Sequence, residues 1–204
     1  VSIDGINWSA SGVASGRVPY GKGVYVSGGG STVSNIYHSS DGIHWNETNS
    51  GQENAIITRV LFDGTRFVAV GDRGAISTSL NGVNWTVAFS APFSSLTDLA
   101  IGSGVRVAVG YFGNIVVSAD GVAWTPVTAP TAHPFRAIAW GQGKFVALAS
   151  GMFNSPEIEI WTSPDGMVWT QRSASLPGGG AIPDGVMSLA TGGVVISTGA
   201  TAGD

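Results

Sequence analysis

The chain has 204 residues and a mass of 20.7 kDa, with charged residues at only 11%, mean hydropathy of +0.24 and a net charge of −4. That acidic balance offers no broad attraction for polyphosphate and argues against a nucleic-acid partner. The absence of cysteine excludes disulfides and thiolate metal centres, and no apolar run approaches the roughly 20 residues of a membrane-spanning helix.

The first element in the chain is Ser2-Ile3-Asp4-Gly5-Ile6-Asn7-Trp8, and its pattern, Ser-x-Asp/Asn-Gly-x-x-Trp, returns from Ser39, Ser79, Ser118 and Ser163. Successive tryptophans lie 37, 40, 39 and 45 residues apart. A period of about 40 residues built from short strands is the signature of propeller blades. Between copies, a short apolar segment comes first: Arg17–Tyr20, Arg59–Phe62, Asp98–Ile101 and Arg136–Trp140. A glycine turn follows, as in Gly21-Lys22-Gly23, Asp63-Gly64-Thr65, Gly102-Ser103-Gly104 and Gly141-Gln142-Gly143. A β-rich run such as Phe67–Gly71, Val105–Val109 or Phe145–Leu148 is next, and then a third strand such as Ala75–Ser79 or Asn114–Ser118 enters the motif. The tryptophan begins a fourth strand, which completes one antiparallel blade.

The motif has an explanation in turn chemistry. Asp-Gly or Asn-Gly between strands predicts a two-residue hairpin, because both central residues tolerate positive φ. The Ser and Asp side chains are expected to hold backbone amides, and the Trp to pack on a neighbouring sheet. At the far end, 186–199 reads as the first two strands of a blade without a motif, whereas 1–8 is a motif without those strands. The expectation is one all-β domain over 1–204, a β-propeller of five blades. These are 186–204 joined with 1–9 to close the ring, then 16–46, 57–86, 96–125 and 135–170. The start at Val1, inside a repeat, suggests a piece or module of a longer protein, in which a ring of six or seven blades is the alternative.

The repeat resembles the Asp-box (BNR) repeat of sialidases and of secreted and phage propellers, usually written Ser-x-Asp-x-Gly-x-x-Trp. All five copies are one residue shorter between Asp and Gly. They are more similar to the BNR-like propellers of photosystem assembly factors, phage tail proteins and bacterial surface proteins. The resemblance implies a propeller whose boxes lie at the blade periphery, away from the ligand face. It also makes Gly16-Arg17-Val18-Pro19-Tyr20 similar to the sialidase Arg-Ile-Pro motif, whose arginine contacts the substrate carboxylate. A nucleophilic Tyr with an activating Glu, and a general acid, are not identifiable in the sequence.

Other chemistry is sparse. His38, His44 and His133 lack zinc-site spacing, no EF-hand loop is present, Gly28-Gly29-Gly30 precedes no helix, and there is no Gly-x-Ser-x-Gly elbow. Neither a cofactor nor a metal is expected. Arg59 and Arg136 lie at or beside the point of their blades that Arg17 occupies, and Asp98 takes the fourth equivalent position, so three guanidiniums would converge with one carboxylate, either as a carboxylate-binding site or as a structural plug. The loops holding Asp72, Arg73, Tyr111, Phe112, Phe153 and Asn154 should share their face, with Gly151–Glu157 as the main insertion. Glu157 and Glu159 read as a solvated face. Together these residues predict a non-catalytic recognition module for a glycan or a protein, a carbohydrate-binding or adhesion domain of a secreted, surface or phage-tail protein. A structural assembly propeller and a sialidase-like exo-glycosidase are the alternatives.

Overall fold

The computed structural model describes residues 17–28, 35–91, 94–128, 130–150 and 158–172, and the backbone of 188–190 and 193–195. Two compact units divide the chain between residues 93 and 94. In the first unit, β1 (Tyr20–Gly21), β2 (Val24–Gly28), β3 (Asn35–Ser39) and β4 (Asn46–Asn49) form one sheet. The next sheet comprises β5 (Ile57–Phe62), β6 (Phe67–Gly71), β7 (Ile76–Ser79) and β8 (Thr86–Phe89). In the second unit, β9 (Leu96–Gly102), β10 (Val105–Gly110), β11 (Ile115–Ser118) and β12 (Thr125–Val127) make a third sheet. The fourth holds β13 (Phe135–Gly141), β14 (Lys144–Ser150), β15 (Ile158–Ser163) and β16 (Thr170–Arg172). Each of these four sheets is antiparallel, four-stranded and ordered as the chain runs. β17 (Ser188–Ala190) pairs antiparallel with β18 (Gly193–Val195), beside β13. These are the successive blades of a β-propeller.

Each unit buries its core between facing sheets. Val26 and Ile36 meet Ile57, Val60, Phe67 and Ala69 in the first unit. In the second, Val107, Val109, Ile115 and Val117 meet Phe135, Ile138, Phe145 and Ala147. The middle strands β6 and β11 are buried along their whole length, which explains their apolar runs in place of alternation, and β7 is equally buried although it carries Ser77, Thr78 and Ser79. At the β1–β2, β9–β10 and β13–β14 turns, left-handed Lys22, Ser103 and Gln142 each precede a left-handed glycine. In the second sheet Asp63 Oδ1 instead accepts from the N–H of Thr65 at 2.8 Å and of Arg66 at 2.7 Å. Beside these turns lie cross-strand aromatic pairs, Tyr20 with Tyr25 at 4.6 Å, Phe62 with Phe67 at 4.7 Å and Trp140 with Phe145 at 4.6 Å.

The repeated motif is a longer turn than the two-residue hairpin predicted. The last strand pair before it is His38 with Asn46, so residues 39–45 form the loop, and only Gly42 within it has positive φ, at 75°. Ser39 Oγ accepts from Gly42 N at 2.8 Å, and Asp41 Oδ1 accepts from the N–H of Ile43 and of His44, both at 2.8 Å. The same bonds recur at Ser79, Ser118 and Ser163. The side chains thus replace the main-chain bonds of a tight hairpin, and the glycine is the one left-handed residue they require. Trp45, Trp85 and Trp169 donate Nε1–H to the carbonyl of their own motif glycine at 3.1, 3.3 and 2.9 Å. The first motif, and the ring closure assigned to 1–9 and 186–204 apart from β17 and β18, lie outside the described residues.

Candidate functional site

Three inner strands carry a β-bulge at the same point. Ile57 pairs with Gly71 and Arg59 with Val70; Leu96 pairs with Gly110 and Asp98 with Val109; Phe135 pairs with Ala149 and Ala137 with Leu148. The bulged residues are therefore Thr58, Thr97 and Arg136. The register sharpens the expected placement: Arg59 and Asp98 match each other and Ala137, and Arg136 lies beside that point, one residue out of step. A bulge re-aims its side chain, so Arg136 is directed differently from Arg59.

Arg136 is half-buried and held on three sides. Its Nε donates to Ser150 Oγ at 3.1 Å, its Nη1 donates to the Tyr111 hydroxyl at 3.3 Å, and its guanidinium carbon lies 5.4 Å from the centre of the Tyr111 ring. Cation–π and hydrogen-bond contacts thus fix the fork, and Nη2 makes no hydrogen bond among the described residues. Asp98 serves the backbone, accepting from Leu99 N at 2.9 Å and from Ile138 N at 3.0 Å, which joins β9 to β13. Thr97 Oγ1 lies 3.1 Å from Val109 O and 2.8 Å from Phe135 O along the same seam.

Tyr111 and Phe112 occupy the β10–β11 turn, where Asn114 N donates to Tyr111 O at 3.1 Å. Phe112 and Gly113 are both left-handed (φ 57° and 72°), as in a type I′ turn. Phe112 is 62% exposed. A bulky aromatic in that backbone region is strained. The β6–β7 turn repeats the geometry with exposed Arg73 at φ 54°, and Asp72 Oδ1 accepts from Ile56 N at 2.5 Å. Arg17 is exposed just ahead of β1, and Arg59 is half-buried on β5. The structure brings Arg136, Tyr111 and Asp98 to one seam of the second unit. Phe153, Asn154 and the rest of 151–157 lie outside the described residues.

A second cluster at the same end of the fourth sheet was not anticipated. Glu159, expected on a solvated face, is largely enclosed: Oε1 lies 3.0 Å from His133 Nδ1, and Oε2 accepts from Trp161 Nε1 at 2.9 Å. Burial pushes its carboxyl up, but the hydrogen bonds from Trp161 and Thr131, with the charge and hydrogen bond of His133, outweigh that and hold it below the usual range. The signal was faint, since His133 and Glu159 meet only once β14 has paired Ala149 with Glu159. Among the described residues, no group of three or more His, Asp or Glu is placed to hold a metal ion.

No protein-family profile matches the chain, and no curated protein matches it. Solved structures do. YCF48 bound to D1 peptide has a TM-score of 0.51 and 15% identity over 75% of this chain and 50% of that one. The computationally designed Ika8 protein gives 0.53 and 16%, over 74% of this chain and 46% of that one. An ancestral GH74 enzyme gives 0.56 and 15%, over 78% of this chain and 24% of that one. The chain thus spans half or less of the length of these three. At such identities the likeness is one of fold, and it agrees with the four antiparallel sheets in placing the chain among the all-β propellers.

Proposed function

We propose that the chain is a non-catalytic recognition module that grips a carboxylate-bearing protein segment or glycan at Arg136, Tyr111 and Phe112. The observation that carries the reading is the fixed fork of Arg136, with Ser150 on Nε and Tyr111 on Nη1, beside an exposed and strained Phe112. A pre-oriented guanidinium binds carboxylate at little further ordering cost, and an exposed aromatic next to it supplies apolar contact. The strain at Phe112 is the kind retained where a side chain is needed in one place. A propeller of similar fold, YCF48, has been solved bound to a peptide, which favours a protein segment over a sugar as the first ligand to try. The repeated turn we assign to the BNR-like variant of the Asp-box, serving the scaffold, with the module belonging to a larger secreted, surface or phage-tail protein.

The test is a peptide array and a glycan array probed with the wild-type chain, Arg136→Thr and Phe112→Ala. Binding to carboxylate-bearing members, weakened about tenfold by Arg136→Thr, is the expected result for one charge-assisted pair. Blank arrays, or binding indifferent to both substitutions, would overturn the assignment. Turnover of a sialoside lost in Arg136→Thr would replace it with the hydrolase alternative.

A further inference from the structure

The repeated turns of the third and fourth sheets border a cleft of 510 Å³ that the carboxylate-binding reading does not use. Val105, Val117, Ala123 and Met167 give it an apolar lining, and Asp120 and Asp165 contribute the charge. Each carboxylate spends Oδ1 on its own turn, Asp120 on Val122 N and Ala123 N at 2.8 and 2.9 Å, and Asp165 on Met167 N and Val168 N at 2.9 and 3.1 Å. Oδ2 of each makes no hydrogen bond or ion pair among the described residues. Both groups are held below the usual carboxylate range, Asp120 chiefly by the N–H of Val122 and Asp165 chiefly by that of Val168, so both stay charged.

The seam is open for a local reason. Between the first two sheets, Thr48 Oγ1 donates to Val83 O at 2.8 Å and ties the fourth strand to the next motif turn. Counted from the motif tryptophan, the residue equivalent to Thr48 in the third sheet is Val127, which has no hydroxyl to give. We propose that this cleft docks a lysine side chain of an extended basic protein segment, with the ammonium against Asp120 and Asp165 and the methylene stem on Val105, Val117 and Met167. The chemistry is complementary: a long aliphatic stem ending in a cation suits an apolar lining with two fixed anions. The chain's net charge of −4 favours the approach of such a segment.

The test uses a fluorescein-labelled, N-acetylated and C-amidated peptide of alternating alanine and lysine, with a norleucine version as the neutral comparator, followed by anisotropy. Asp120→Asn and Asp165→Asn are mild variants, because Asn81 fills the same turn position and makes the same bonds at 3.0 and 2.9 Å. Each should weaken lysine-peptide binding about threefold to fivefold, and the norleucine peptide should bind the wild-type chain no more tightly than the lysine peptide binds the chain carrying both Asp120→Asn and Asp165→Asn. The pair Glu47→Gln and Glu53→Gln removes equal charge elsewhere and should change nothing, as should Arg136→Thr, which empties the other site. No binding to the wild-type chain would overturn the proposal. So would an equal loss in the Glu47/Glu53 pair, which would show attraction to net charge alone.

Discussion

Arg136 occupies in the fourth sheet the bulge position that Thr97 occupies in the third, one residue away from the alignment that groups it with Arg59 and Asp98. The threonines at this position serve the scaffold: Thr58 Oγ1 lies 3.1 Å from Val70 O, and Thr97 Oγ1 lies 3.1 Å from Val109 O. The carbonyl in the matching place of the fourth sheet is that of Leu148, which pairs with Ala137. Arg136→Thr should therefore restore the scaffold bond while deleting the fork. Urea unfolding should place its stability within about 0.5–1 kcal/mol of the wild type, the scale of one net hydrogen bond. A loss much larger than that would show that the arginine is structural.

Gly102 lies directly beneath the indole of Trp140, and a Cβ built there would overlap the ring. The third sheet is thereby pressed against the aromatic pair of the fourth, Trp140 with Phe145. Gly102→Ala should cost about 1–3 kcal/mol from overpacking alone, measured by urea unfolding. Trp140→Leu in the same chain should return part of that loss, because the clash is with the indole. Additive losses from the two changes would refute the contact.

Much of the fold was legible because its determinants are local. The motif glycines, the glycine turns and the apolar runs mark most of the strands that were read from sequence within a residue or two, as at Phe67–Gly71, which has the bounds of β6, whereas β1 begins at Tyr20, three residues past the expected Arg17. The motif turn was misjudged because Asp-Gly is ambiguous between a tight hairpin and a loop closed by side chains, and Ser39 settles it only when its hydroxyl is seen on Gly42 N. The bulge left a usable trace. Asp98 stands four residues before Gly102, as Ala137 does before Gly141, so counting back from the turn sets Arg136 level with Thr97. The His133–Glu159 pair left only a faint one, because it joins a residue just ahead of β13 to a β15 residue 26 positions later, and the two meet only after β14 and β15 have paired.

Glu159 gives the fold an acid-sensitive joint. Its carboxyl titrates below the ordinary value of 4.5 because Trp161, Thr131 and His133 stabilise the charged form more than burial opposes it. A depressed carboxylate contributes stability that is present in full above the unfolded-state value and is lost as pH falls through the folded one. Urea midpoints measured from pH 6 down to pH 3 should therefore fall more steeply for the wild-type chain than for Glu159→Gln, with the difference opening below about pH 4.5. Parallel curves would show that the carboxylate has no favoured state in the fold.

Phe112 separates stability from recognition. Its left-handed backbone (φ 57°, ψ 31°) costs an ordinary residue roughly 1 kcal/mol or more, and glycine avoids that cost while adding some unfolded-state entropy. The ring is 62% exposed, so its removal forfeits little burial. Phe112→Gly should accordingly match or exceed the wild type in stability, by up to about 1 kcal/mol. The same substitution should weaken carboxylate-ligand binding, since the apolar contact beside Arg136 disappears while the Arg136–Tyr111 bond stays. Calorimetric unfolding and ligand titration on the one variant give both readouts. Loss of stability would show that Phe112 packs the fold, and gain of stability with unchanged affinity would show that its strain serves some purpose other than this site.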